Sequence, residues 1–287
     1  MASRLEAMTL ICAAFLFCSL SIGAPPAAAH GPIDEQIALL TKRIQEDPQD
    51  ATLYLRRGEL NGLHEDWDAA WSDFDKATEL SPDLTAVDLA RGKTLLHARQ
   101  FRRAQEALDL FLARHPEHPD ALLTRARVLL ELGGAAASAR DYGRAIAGLE
   151  KLEQSKPEYY LEWTRAFTEV GDSEHALRAL DQGIAILGPI VSLQLPAIDL
   201  ELTRGQYDAA LARLETVSAQ SPRVEPWLVR RGEILEQAGR STEALCAYEE
   251  ALAGLEPLTT GRMAELESKV RASIARLRLH FADECKP

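Results

Sequence analysis

Several things are scarce in this chain, and each scarcity excludes something. Aromatic residues are 6% of 287 positions, and alanine and leucine dominate the apolar share. That composition suits a helical array. Glycine and proline occur singly rather than in tracts, so no long disordered linker is expected. A basic excess is missing: the formal net charge is −12, which argues against general nucleic-acid binding. There is no nucleophile elbow, phosphate-binding glycine loop, paired-cysteine motif or zinc-protease helix motif, so nothing positive points to catalysis. Beyond residue 29 there is no long apolar run.

The first 29 residues are of a different kind. Arg4 precedes a nearly uninterrupted apolar run from Met8 to Ile22. Gly23-Ala24-Pro25-Pro26 breaks that run, and Ala27-Ala28-Ala29 offers small residues for cleavage. This is the pattern of a secretory signal peptide cut after Ala29. At about 15 residues the run is short of a usual membrane span. The expectation is a periplasmic or secreted mature chain with no stable membrane insertion. Cleavage removes Cys12 and Cys18 and leaves Cys246 and Cys285 where pairing is permitted. A straight terminal helix folded back on the last repeat would carry Cys285 about 20 Å past Cys246. A bridge needs alpha carbons within about 7 Å. Free thiols, or an intermolecular bond at Cys285, are therefore predicted.

The rest of the chain repeats. Tyr54, Gly58, Trp67, Ala70, Phe74, Ala77 and Pro82 form a series, and a shift of 34 residues maps Gly58 to Gly92, Trp67 to Phe101, Ala70 to Ala104 and Pro82 to Pro116. Six such units are read: 51–84, 85–118, 119–156, 157–190, 191–224 and 225–257. The third is enlarged. Small residues between Leu132 and Tyr142 (Gly133 to Ala139) are read as a surface insertion at the turn between its two helices. Ahead of the repeats, Ile33, Ile37, Leu40 and Ile44 mark one helix over 32–46, a cap within 30–50. Behind them, within 258–287, Met263, Leu266, Val270, Ile274, Leu277 and Phe281 mark a single long helix over 260–284, a second cap.

This order of small, aromatic and proline positions at a 34-residue period resembles the tetratricopeptide repeat. The resemblance covers nearly the whole mature chain. It implies an all-α, right-handed superhelical solenoid of about six helix-turn-helix repeats between capping helices. It also implies a non-catalytic scaffold that binds a peptide or protein segment in a concave groove lined by the first helix of each repeat.

Carried over by position, the resemblance gives two groove rows. One is apolar: Leu55, Leu89, Leu123, Leu161, Leu195 and Val229. The other is Glu59, Lys93, Arg127, Arg165, Asp199 and Glu233, basic in the middle and acidic at both ends. The basic trio would receive a carboxylate or an acidic segment. The alternative is that it pairs with neighbouring acids such as Glu131 and Glu169. The family's clamp for peptide C-termini also uses asparagines, and none stands at these positions. Arg57, Arg91, Arg125 and Arg231 recur at one structural position and read as framework, with Asp73 a partner for Arg57.

A second function class rests on histidines. Cleavage after Ala29 would leave His30 at the mature N-terminus, offering amine and imidazole to copper with His64 nearby. His115 and His118 have metal-pair spacing but fall among prolines between repeats. They are read as an inter-repeat loop.

Overall fold

The computed structural model describes residues 32–255 and 261–279. These form fourteen helices, and among the described residues there is no strand. A lone helix, α1 (Pro32–Glu46), comes first and coincides with the predicted cap. Six hairpins follow: α2 (Ala51–Leu63) with α3 (Trp67–Leu80), α4 (Ala86–His97) with α5 (Phe101–Arg114), and α6 (Pro119–Glu131) with α7 (Ala135–Lys151). The second three are α8 (Pro157–Glu169) with α9 (Ser173–Leu187), α10 (Val191–Thr203) with α11 (Tyr207–Ser218), and α12 (Glu225–Gln237) with α13 (Ser241–Leu255). The chain closes on α14 (Arg262–Arg278). Helices pack mainly on their neighbours in the chain, so the core runs the length of the stack. Among the described residues no helix is long and apolar enough to cross a membrane.

One register governs every hairpin. A small or mid-sized residue of the first helix faces a large residue sixteen positions on: Gly58 and Phe74, Gly92 and Leu108, Ala126 and Tyr142, Thr164 and Leu180, Ile198 and Leu214, Gly232 and Tyr248. At Gly58 an added Cβ would stand 2.7 Å from Phe74 Cε1, and at Gly232 2.6 Å from Tyr248 Cε1. Seven residues after the same position, each hairpin turns through a left-handed residue. Gly133, Gly171, Gly205 and Gly239 take that place in four repeats, and Glu65 (φ 62°) and Arg99 (φ 56°) in the first two. Glycine adopts this conformation without steric cost; the two charged residues do so at some strain.

The same register corrects the placement of the extra residues of repeat three. No hairpin turn is lengthened. Ala135 begins α7 nine positions after Ala126, as Trp67 begins α3 nine after Gly58. Ala135 to Ala139 are helical, because alanine is the strongest helix former and the preceding Gly133 has already made the turn. Ser138 is buried, with its hydroxyl donating to the Ala126 carbonyl at 2.7 Å. The surplus lies at the other end. α7 is 17 residues long where α3 and α5 are 14.

The C-terminal cap packs on α13 as its apolar stripe requires: Val270, Ile274 and Leu277 are buried with Ala244, Tyr248 and Leu255. The expectation of a free thiol at Cys246 is overturned, since Cys246 is disulfide-bonded. The predicted overshoot assumed one straight helix through residue 284. α14 instead ends at Arg278, whose guanidinium reaches Glu249 at 2.5 Å, about one turn of α13 from Cys246. The disulfide partner of Cys246, Phe281 of the predicted stripe and the whole signal segment lie outside the described residues.

Candidate partner-binding groove

The first helices α2, α4 and α6 lie side by side, and α1 extends their row. Between them is a cavity of about 640 Å³. It brings three of the predicted row together: Glu59, Lys93 and Arg127 line it, with Arg43, Arg56, His97 and Asp120. A second cavity, of about 420 Å³, continues past Arg127 and adds Glu162 and Arg165. Asp199 and Leu195 lie farther along and line neither space.

The basic trio is not free. Lys93 Nζ donates to Asp120. Arg127 grips Glu162 with two parallel bonds, Nε to Oε2 at 2.9 Å and Nη2 to Oε1 at 3.0 Å. Arg165 pairs with Glu169, one turn along its own helix, at 3.0 Å. Of the two acids named from the sequence, Glu169 is thus engaged. Farther on, Arg230 bonds Asp199 at 2.8 Å and Lys269 bonds Glu233. Each pair ties one helix of the row to the next, except Arg165–Glu169. The cations that make no ion pair among the described residues are Arg43 and Arg56, on α1 and α2 at the cavity's edge. Sequence reasoning missed both. Their signal is positional: α1 had been given only a capping role, so its polar face was not placed on the groove.

Glu59 also lacks an ion-pair partner among the described residues. The place where a long side chain from α4 would meet it is held by Ala90. Burial pushes its carboxyl above the usual glutamate range, against the pull of Lys93 and Arg56. A carboxyl raised in the folded state loses stability as it ionises there. Glu59→Gln is therefore expected to raise the unfolding midpoint at neutral pH. The gain should fade to nothing below about pH 4, where glutamate is protonated in both states. Thermal melts of both proteins across that range check the sign.

The apolar row behaves differently from the expectation. Leu55, Leu123 and Val229 are buried in the core, and Leu89 and Leu161 are half-buried against it. Within that row Leu195 is the exposed member. Consecutive first helices pack so closely that this position points between them. The apolar lining of the cavity comes instead from Leu39, Leu60, Leu63 and Leu96, of which Leu39 and Leu63 are more than half exposed.

The framework arginines fall where expected. Arg57 holds buried Asp73 through two bonds, at 2.9 and 2.6 Å. Arg125 holds Asp141 in its own repeat and Asp109 in the one before. His64 Nε2 stands 3.5 Å from Asp34 Oδ1, and no metal-binding group of three or more His, Cys, Asp or Glu occurs among the described residues. His30 lies outside them. His118 caps α6, accepting from the Ala121 amide, and His115 bonds Thr85 at 2.9 Å. Both rings rest against Phe111, so neither is arranged as a ligand pair.

A family model for the tetratricopeptide repeat matches residues 89–156 and 195–257. With the hairpin register above, that decides the matter. The chain carries tetratricopeptide repeats. Among solved structures, it is similar to pilF of Pseudomonas aeruginosa, at 14% identity over 79% of this chain and 99% of that one, with a TM-score of 0.51. A tetratricopeptide repeat protein from Parabacteroides merdae aligns over 83% of this chain and 92% of its own, at 18% identity and a TM-score of 0.49. At such identities the likeness is one of fold. No curated protein matches the chain in sequence. The tetratricopeptide fold is that of a protein-protein interaction scaffold.

Proposed function

We propose that the protein is a non-catalytic scaffold outside the cytoplasm that holds an acidic segment of a partner protein in the concave groove of its first repeats. The observation that carries this reading is the cavity between α1, α2, α4 and α6. Its lining has four cations (Arg43, Arg56, Lys93 and Arg127) against two carboxylates, Glu59 and Asp120. In a chain of net charge −12, a locally cationic hollow beside exposed leucines favours an occupant that is acidic and partly apolar. Two features support the compartment: the apolar run closed by Ala27-Ala28-Ala29, and the disulfide at Cys246.

The test begins with partners recovered by affinity purification from the native compartment and named by mass spectrometry. Reversing Arg43 and Arg56 to glutamate is expected to remove those partners while helicity by circular dichroism is unchanged. Reversing Lys93, Arg127 and Arg165 should remove them as well, at some cost in stability. Recovery of the same partners by both variants would show that the groove is not the binding surface.

A further inference from the structure

The seam between α7 and α8 is built unlike its neighbours. Where one repeat meets the next, an arginine of the first helix closes on an acid of the helix before it. Arg91 bonds Asp75 at 2.7 Å, and Arg125 bonds Asp109 at 2.8 Å. In the next seam the equivalent positions are Gly143 and Trp163. Both charged groups are gone, and the indole lies over the glycine. A Cβ added there would come within 3.2 Å of Trp163 Cζ2. The indole N–H donates to the Ala139 carbonyl at 2.8 Å, which fixes the ring.

Replacing the clasp opens a slot of about 750 Å³. One wall is aromatic. Phe167 follows Trp163 along α8 with ring centroids 5.6 Å apart and stacks on His175 at 5.2 Å. Val170, half-exposed, ends that wall. The opposite wall is cationic: Arg140 and Arg144 stand one turn apart on α7. The floor of Ala136, Ala139 and Gly143 carries nothing longer than a methyl group. Arg140 makes no ion pair among the described residues. Arg144 bonds Glu117, itself largely exposed, at 2.7 Å and the Pro116 carbonyl at 2.6 Å. Asp172, the acid at the rim, is taken up by His175 at 2.6 Å. Trp163 is two residues from Arg165, about 200° around the helix, so the slot opens away from the groove row.

We propose that this slot is a second docking site, and that its occupant is a short helical segment of a partner protein, apolar on one face and acidic on the next. The apolar face meets Trp163, Phe167 and Val170, and its carboxylates meet Arg140 and Arg144 as charge-assisted pairs. From Trp163 to Val170 the wall spans about 10 Å, two helical turns, which suits anchors at i, i+3 or i+4, and i+7. The low floor lets a backbone approach closely.

A short synthetic helical peptide, acetylated and amidated, is the probe. It carries leucines at those anchor positions and glutamates beside them. A control has lysines in place of the glutamates. The acidic peptide is expected to shift the Trp163 indole N–H resonance in an NMR titration and to bind at least ~10-fold more tightly than the control. Gly143→Asp with Trp163→Arg rebuilds the clasp found in the earlier seams, and should keep the helical spectrum while weakening the acidic peptide at least ~10-fold. Arg140→Glu, an exposed change that does not threaten folding, should lose the preference for glutamate over lysine. Lys93→Glu with Arg127→Glu, in the groove, should leave the peptide's affinity unchanged. The proposal is overturned if the indole resonance does not move, if Arg140→Glu keeps the preference, or if the groove variant alone loses the peptide.

Discussion

Tyr142→Ala is expected to destabilise the protein by about 3–5 kcal/mol, the cost of deleting a fully buried aromatic ring. Tyr142 is 1% exposed and belongs to a cluster that joins α5 through α10. It occupies the place facing Ala126, so its loss opens a void at the crossing of α6 and α7. Burial and the nearby Glu162 carboxylate hold its phenol far above the ordinary range, and Arg127 pulls the other way. The ring therefore also props the Arg127–Glu162 pair from beneath. Tyr142→Phe, which keeps the ring, should cost only about 1 kcal/mol. Denaturant melts of the two variants separate ring from hydroxyl. An alanine variant as stable as the parent would show that the ring does not hold the repeats together.

Arg213→Ala should be comparably severe, for an electrostatic reason. The guanidinium on α11 donates to Glu201 at 2.7 Å, to Gln194 at 3.3 Å and to Asp181 at 2.6 Å, and so ties α9, α10 and α11. Glu201 is 3% exposed, and its second oxygen has no partner. Without the arginine a carboxylate is stranded in the interior, a loss of about 3–5 kcal/mol. Adding Glu201→Gln to Arg213→Ala should restore part of it, because a neutral amide is easier to bury than a lone charge. The exposed pair Arg165–Glu169 is the contrast: breaking it should change stability by about 0–1 kcal/mol. Unfolding curves for the three variants check the order. Equal effects at Arg213 and Arg165 would remove burial as the explanation.

The repeat itself was legible because its signal is steric and local. Gly58, Gly92 and Gly232 stand under Phe74, Leu108 and Tyr248, and few other residues fit there. The N-terminal cap was legible from the stripe that ends in buried Ile44. What failed to show was anything set by contacts between repeats. Leu55, Leu123 and Val229 look like groove residues when counted along one helix, and the next helix buries them. Lys93 and Arg127 look available, but their partners Asp120 and Glu162 are 27 and 35 residues away. The extra residues of repeat three were placed at the turn because they are small. Small residues there are helical, and the constant sixteen-residue offset was the better guide.

The longer α7 works like a dislocation in a crystal. From Gly58 to Gly92 to Ala126 the step is 34 residues each time; from Ala126 to Thr164 it is 38, and the regular step then resumes to Gly232. The surplus turn delays the entry of α8, so the inner surface undergoes a phase slip between Arg127 and Arg165. An extended strand that reads one site per unit along the first three units arrives out of step at the fourth. The solenoid thus carries two addresses rather than one continuous track.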